Sequence, residues 1–229
     1  MTRGASSRAE SATSEDSWIG IDESGKGDYF GPLVIAAVYV DPIALEYLSE
    51  LGVRDSKAIS DKRALYLSQR IRSRCTHSVV RVGPQRYNEL QAQMGNLNRL
   101  LAWGHARALE NILEKADCER AISDQFGDER FILAALLEKG KNIHLVQKPK
   151  AESDIGVAAA SILARAEFLR QLDELSQSIG VPLPKGASPK VEATARKLVE
   201  KYGVNVLHRL AKVHFKTTQR VISAVGIEP

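Results

Sequence analysis

Four acidic residues stand where apolar runs of the chain give out. Asp22 and Glu23 follow Trp18-Ile-Gly-Ile21, Asp124 follows Ala121-Ile-Ser123, and Glu152 comes just after Val146-Gln-Lys-Pro-Lys-Ala151. Neighbours on a strand point to opposite faces, so Asp22 and Glu23 can serve one site only where the strand ends or twists. The glycine-rich stretch Ser24-Gly-Lys-Gly-Asp-Tyr-Phe-Gly31 supplies such an end. Carboxylates from several strand ends offer hard oxygen ligands suited to Mg²⁺ or Mn²⁺. Four of them could hold two ions for in-line displacement at phosphorus. Read singly, each acid is more commonly a turn cap or a surface charge, and spacing alone leaves both readings open.

The segment Gly20-Ile-Asp-Glu-Ser-Gly25-Lys26-Gly27 comes close to a phosphate-binding P-loop. Gly27 replaces the hydroxyl residue that would hold Mg²⁺, and Gly31-Pro32 and a strand follow where a helix should start. Asp22 and Glu23 would also put two carboxylates into a cradle for anionic phosphates. No nucleotide cofactor is expected.

The elements that must position these acids alternate. Strands are predicted over Trp18–Glu23, Pro32–Val40, Thr76–Val82, Arg120–Asp124 and Asn142–Gln147. Helical periodicity marks 42–51, 60–74, 84–93, 96–116, Glu129–Glu138, about Ile155 to Ser178, 190–202 and a short stretch around Asn205–Ala211, and Phe215–Val221 closes the pattern. This is an α/β layer pattern, and its early adjacent strands predict an antiparallel hairpin in a mixed sheet. The 229 residues suffice for a full core. Residues 1–17 hold seven Ser/Thr and no apolar stretch, and are expected to form a disordered tail rather than a signal peptide. The remainder, 18–229, is expected to be a single domain. No run approaches the eighteen apolar residues of a membrane span, and the two cysteines, Cys75 and Cys118, suit a reducing, cytoplasmic setting.

The net charge of +4 is unevenly spread. Residues 182–229 hold nine Lys/Arg against three Glu, while the rest of the chain holds 23 Lys/Arg against 25 Asp/Glu. A basic C-terminal segment on a near-neutral body suits a polyanionic partner, or else a solvated helix face.

Gly20-Ile-Asp-Glu-Ser-Gly-Lys-Gly-Asp-Tyr-Phe-Gly-Pro-Leu33 resembles the opening motif of the type 2 ribonucleases H, and its Asp28-Tyr-Phe-Gly-Pro32 form resembles ribonuclease HIII. In collinear order, Asp55-Ser-Lys-Ala-Ile-Ser60, Gly95-Asn-Leu-Asn-Arg-Leu-Leu-Ala-Trp-Gly-His105, Ser123-Asp-Gln-Phe126, Lys150-Ala-Glu-Ser153, Val157-Ala-Ala-Ala-Ser-Ile-Leu-Ala-Arg165, Leu183-Pro-Lys-Gly-Ala187 and Ala211-Lys-Val-His-Phe215 agree. Lys150-Ala-Glu152 is the HIII form of a segment that usually reads Lys-Gly-Asp in HII. The resemblance implies a ribonuclease H-like mixed five-stranded sheet flanked by helices, with a helical, basic C-terminal part. It implies Asp22, Glu23, Asp124 and Glu152 as catalytic acids holding two Mg²⁺ or Mn²⁺ ions, and hydrolysis of the RNA strand of RNA/DNA hybrids to 5′-phosphate and 3′-hydroxyl ends.

Gly25-Lys26-Gly27 matches the family's turn beside the scissile phosphate, where absent side chains let backbone approach a ribose 2′-hydroxyl. Lys57, Lys148, Lys150, Ser153 and Lys185 are further candidates for substrate binding. Tyr29 and Phe30 could stack on sugar or base or pack over the core edge, Ser161 could serve close packing, and His214 could pack or meet phosphate. His77, His105 and His144 read as structural. Ribonuclease HIII proteins generally carry a TATA-binding-protein-like N-terminal domain, for which the residues before Trp18 are too few. The expectation is a HIII-type catalytic core acting as a monomer, with room for cutting at single ribonucleotides in duplex DNA. The rival reading, a non-catalytic hybrid-binding module, would gain nothing from acids placed against a polyanion.

Overall fold

The computed structural model describes residues 16–54, 58–125, 130–136 and 139–226; the expectation for the tail falls largely outside these residues. Five strands form one sheet in the order β3-β2-β1-β4-β5: β1 (Trp18–Ser24), β2 (Leu33–Val40), β3 (His77–Val82), β4 (Arg120–Asp124) and β5 (His144–Lys148). The β1–β2 and β2–β3 pairs are antiparallel, and β1–β4 and β4–β5 are parallel. The mixed sheet and its opening hairpin follow the sequence-based expectation.

The helices are α1 (Pro42–Glu50), α2 (Asp61–Arg74), α3 (Pro84–Met94), α4 (Leu97–Leu113), α5 (Arg130–Ala135), α6 (Ile155–Ile179), α7 (Pro189–Tyr202), α8 (Val206–Leu210) and α9 (Lys216–Ala224). Both faces of the sheet are covered. Along β2, Val34, Ala36, Val38 and Val40 join one apolar cluster with α6, while Leu33, Ile35 and Ala37 join a second with α3 and α4. This is the period-2 alternation of a strand buried on both sides. The C-terminal helices share the first cluster through Val191, Leu198, Leu207, Leu210 and Val221. No helix among the described residues is long and apolar enough to cross a membrane.

β5 starts two residues later than the sequence predicts, because a 3₁₀ turn occupies Gly140–Asn142. A second such turn, Ala151–Ser153, links β5 to α6. Asp154 then caps α6, its Oδ1 accepting from the backbone N of Gly156 (2.9 Å) and Val157 (3.0 Å) and from Trp18 Nε1 (3.0 Å).

Candidate active site

The faces of β1 decide where its acids go. Ile19 and Ile21 belong to the α4-side cluster, so Gly20 and Asp22 face α6. A methyl group on Gly20 would lie 2.0 Å from the carbonyl carbon of Gly156, so the missing side chain lets α6 settle directly on β1. A little over one turn along α6, Ser161 hydrogen-bonds Asp22. Ser161 therefore has a partner at the site in addition to any packing role.

Glu23 faces the other way. β1 runs through Ser24 rather than ending at the two acids, so they leave it on opposite faces, yet at this end of the strand the Glu23 charge still acts on the Asp22 carboxyl, and the two remain neighbours at one site. Across the hairpin Glu23 pairs with Ile35. A methyl on Gly104 would lie 2.5 Å from Ile35 Cδ1, so α4 also rides close to the sheet. That brings the fully buried His105 to Glu23, with Nε2 3.1 Å from Oε2. Lys26 Nζ lies 3.5 Å from Glu23 Oε1.

The parallel register pairs Ile21 with Ser123, and one further step sets Asp22 beside Asp124 at the C-terminal ends of β1 and β4. Asp124 in turn pairs with Lys148 of β5, and its Oδ1 accepts from the backbone N of Ala151 at 3.2 Å. Glu152, next in that 3₁₀ turn, is thereby tied to Asp124 through the backbone. Lys150 enters the turn in the left-handed region, with φ 57°; for a side-chain-bearing residue that is an uncommon, mildly strained conformation.

Burial pushes the Asp22 carboxyl up to about 7, and the charges of Glu23 and Asp124 push the same way. Burial also acts upward on Glu23, but its hydrogen bond and charge contact with His105, helped by Lys26, hold that carboxyl below its ordinary value. Two adjacent acids thus differ sharply in proton affinity. Among the described residues no group of three or more His, Cys, Asp or Glu is gathered as a preformed metal cage. The donors nonetheless fit a hard divalent cation: Asp22 and Asp124 are side by side, Glu152 is in the adjoining turn, and their crowding is what a cation would relieve.

The lysines have diverse settings. Lys148 and Lys150 are exposed beside Asp124 and Glu152. Lys185 reaches Asp61 at 2.5 Å, and the same carboxylate takes Arg165 at 2.6 Å. Ser153 Oγ donates to the Lys150 carbonyl at 3.4 Å. Lys57 lies outside the described residues. In the glycine turn, Gly25 has φ +88°, and a methyl there would meet the Pro32 carbonyl oxygen at 2.2 Å. Gly27 is exposed, with open space where its side chain would stand.

Tyr29 and Phe30 are fully buried, packed edge to face with centroids 5.0 Å apart, and so belong to the core rather than to a stacking surface. His214 stacks on Tyr87 at 5.5 Å. His105 is the residue the sequence reading left as merely structural and the structure places on an acid of the site. Its signal was present: a histidine within the apolar face of α4, directly after a glycine.

A family model described as Ribonuclease HII matches residues 19–218. The chain is 45% identical over 208 residues to the ribonuclease HIII of Protochlamydia amoebophila, covering 91% of this chain and 69% of that one. It is 46% identical over 209 residues to the ribonuclease HIII of Chlamydia trachomatis serovar L2, covering 90% of this chain and 70% of the relative. Among solved structures it is similar to Bst-RNase HIII in complex with Mn²⁺, with 34% identity and a TM-score of 0.85 over 91% of this chain and 70% of that chain.

Proposed function

The chain belongs to the ribonuclease HII family, as a type 2 ribonuclease H and metal-dependent endonuclease, and we propose that it hydrolyses the RNA strand of RNA/DNA hybrids to 5′-phosphate and 3′-hydroxyl ends. The observation that carries this reading is the placing of Asp22 beside Asp124 at the ends of two parallel strands, with Asp22 raised to about 7 by burial and acidic neighbours. That Bst-RNase HIII is described in complex with Mn²⁺ supports a divalent ion as cofactor.

Asp22, Glu23, Asp124 and Glu152 would hold two Mg²⁺ or Mn²⁺ ions, which when bound supply activation of the attacking water and stabilisation of the leaving 3′-oxygen. The protein's own groups do the rest. Ser161 and the Glu23 backbone N, which donates to Asp22 Oδ1 at 2.8 Å, orient Asp22. His105 keeps Glu23 ionised and aimed. The Ala151 amide holds Asp124. The open face of Gly27 lets the backbone approach a ribose, and the 2′-hydroxyl met there separates RNA from DNA. Exposed Lys148 and Lys150 contact phosphate and set register rather than sequence.

The test is a hybrid labelled on either strand, incubated with Mg²⁺, with Mn²⁺ or with a chelator, beside duplexes carrying one or four ribonucleotides. Cuts confined to RNA, dependent on metal and leaving 5′-phosphate are expected. Tight binding of the hybrid with no cleavage in either metal would favour the binding-module reading instead. Cleavage of the four-ribonucleotide duplex alone would mark HIII-like selectivity.

A further inference from the structure

Lys212 is wholly buried, an unusual place for an ammonium group. Its Nζ donates to the backbone oxygens of Asp28 (2.8 Å) and Gly31 (2.7 Å), and sits 5.6 Å from the centroid of the equally buried Tyr87 ring. Its own backbone N donates to the Tyr29 carbonyl at 2.8 Å. The same C-terminal segment grips the loop elsewhere. The Gly31 amide donates to Leu210 O and the Tyr29 amide to Gly186 O, both at 2.9 Å, and Asp28 Oδ1 accepts from the Gly186 amide at 2.6 Å. Tyr29 Oη meets Thr218 Oγ1 at 3.0 Å, and Phe30 forms a bridge with Ala211.

Burying an ammonium is costly, and an apolar residue would fill the same space without that cost. What Lys212 supplies instead is two donors for carbonyls at both ends of the segment Asp28–Gly31, of which the Gly31 bond is fully buried. The free end of the loop is tied to this anchored end, since the Asp28 amide donates to Gly25 O at 3.2 Å. Burial pushes the ammonium down to about 7 against the opposing pull of Asp28, so the group stays in place at a real energetic cost.

We propose that Lys212 is a positioning residue: with the C-terminal segment around it, it clamps Asp28–Gly31 and thereby sets where Gly25–Gly27 stands against the nucleic acid. This rests on the reading of Gly25–Gly27 as a substrate contact. The basic C-terminal part then acts from beneath the loop as well as through surface charge.

The experiment compares the parent protein with Lys212→Met in steady-state cleavage of an RNA/DNA hybrid and in amide hydrogen exchange. In the variant KM rises by about tenfold or more with kcat within about threefold of the parent, the pattern of lost binding rather than lost chemistry. Exchange at the Asp28 and Gly31 amides accelerates while Val34–Val38 of β2 stays protected. An unchanged KM, or exchange that accelerates equally through loop and sheet, overturns the proposal and leaves Lys212 a general stabiliser. Should Lys212→Met fail to fold, Thr218→Val removes the hydroxyl that meets Tyr29; a KM rise with faster loop exchange supports the clamp, and unchanged values overturn it. If the parent cuts no hybrid, the functional reading fails on its own, and the exchange measurement still decides the clamp.

Discussion

His105 Nε2 lies 3.1 Å from Glu23 Oε2 on the α4 face of the sheet, while Asp22, the residue before Glu23, is raised to about 7 on the α6 face. One strand thus carries two adjacent acids with different protonation behaviour, each set by the helix it faces.

Replacing His105 by Ala should therefore affect both stability and activity. Loss of the bond to a buried, charged group costs about 1–3 kcal/mol, readable by denaturant unfolding. Glu23 is held low in the parent, so its contribution is present above the ordinary glutamate value and lost as pH falls through the lowered one. Without His105 the Glu23 carboxyl moves up, and the acid limb of the cleavage pH profile shifts to higher pH.

Asp22 gives the opposite sign. Its carboxyl keeps a proton up to about 7 in the folded chain, whereas the unfolded chain loses it near 3.8. Stability of the metal-free protein should fall as pH rises between those values, because the folded state then binds more protons. With Asp22 as the proposed metal ligand, a divalent ion would displace that proton, so Mn²⁺ affinity should rise with pH through about 7 and binding should release protons. Titration calorimetry in buffers of different ionisation enthalpy reads both effects.

Two glycines of the opening motif should separate folding from recognition. Gly20→Ala drives a methyl into the Gly156 backbone and should cost at least about 1–3 kcal/mol, as overpacking does. Gly27→Ala enters open space and should stay within about 0.5 kcal/mol of the parent. In the proposed reading it is a ribose contact, so its KM for hybrid should rise. Thermal melts and steady-state kinetics on the pair check the contrast.

The basic C-terminal segment offers fewer free charges than its composition suggests. Lys185 pairs with Asp61, Arg196 and Arg220 pair with Glu192, and Lys212 is buried. Among the rest, Lys190 and Lys197 are exposed. Replacing either by Ala should weaken hybrid binding and reduce the log–log salt slope by about 0.9 where that residue meets a phosphate. Binding isotherms over a salt series give the slope, and Arg220→Ala should change it less.

Much of this was legible in the chain itself. The strand pattern, the hairpin and the long helix are local signals, carried by alternation, glycine and capping residues, whereas the four acids were singled out by the family resemblance. What stayed hidden depends on which face meets what. Tyr29 and Phe30 sit in a glycine-rich turn that left stacking and core-edge packing both open, and α9 and the Ala211–Lys212 strip, distant in sequence, decide it by covering them. His105 reads like any buried histidine until the close approach at Gly104 brings it to Glu23. Lys185 looks like a free cation until Asp61, distant in sequence, claims it. The side-by-side setting of Asp22 and Asp124 comes from parallel register, which no local pattern encodes.

That these acids cleave an RNA strand is tested most directly by single-turnover cleavage of an end-labelled RNA/DNA hybrid in Mg²⁺ by the parent and by Asp124→Asn. The prediction is metal-dependent cleavage of the RNA strand by the parent and a loss on the order of a hundred- to a thousandfold in the variant, the scale expected for removing one charge-stabilising group from a reaction centre. Equal cleavage by both proteins would contradict the assignment of the acids, and no cleavage by a parent that binds the hybrid would contradict the activity itself.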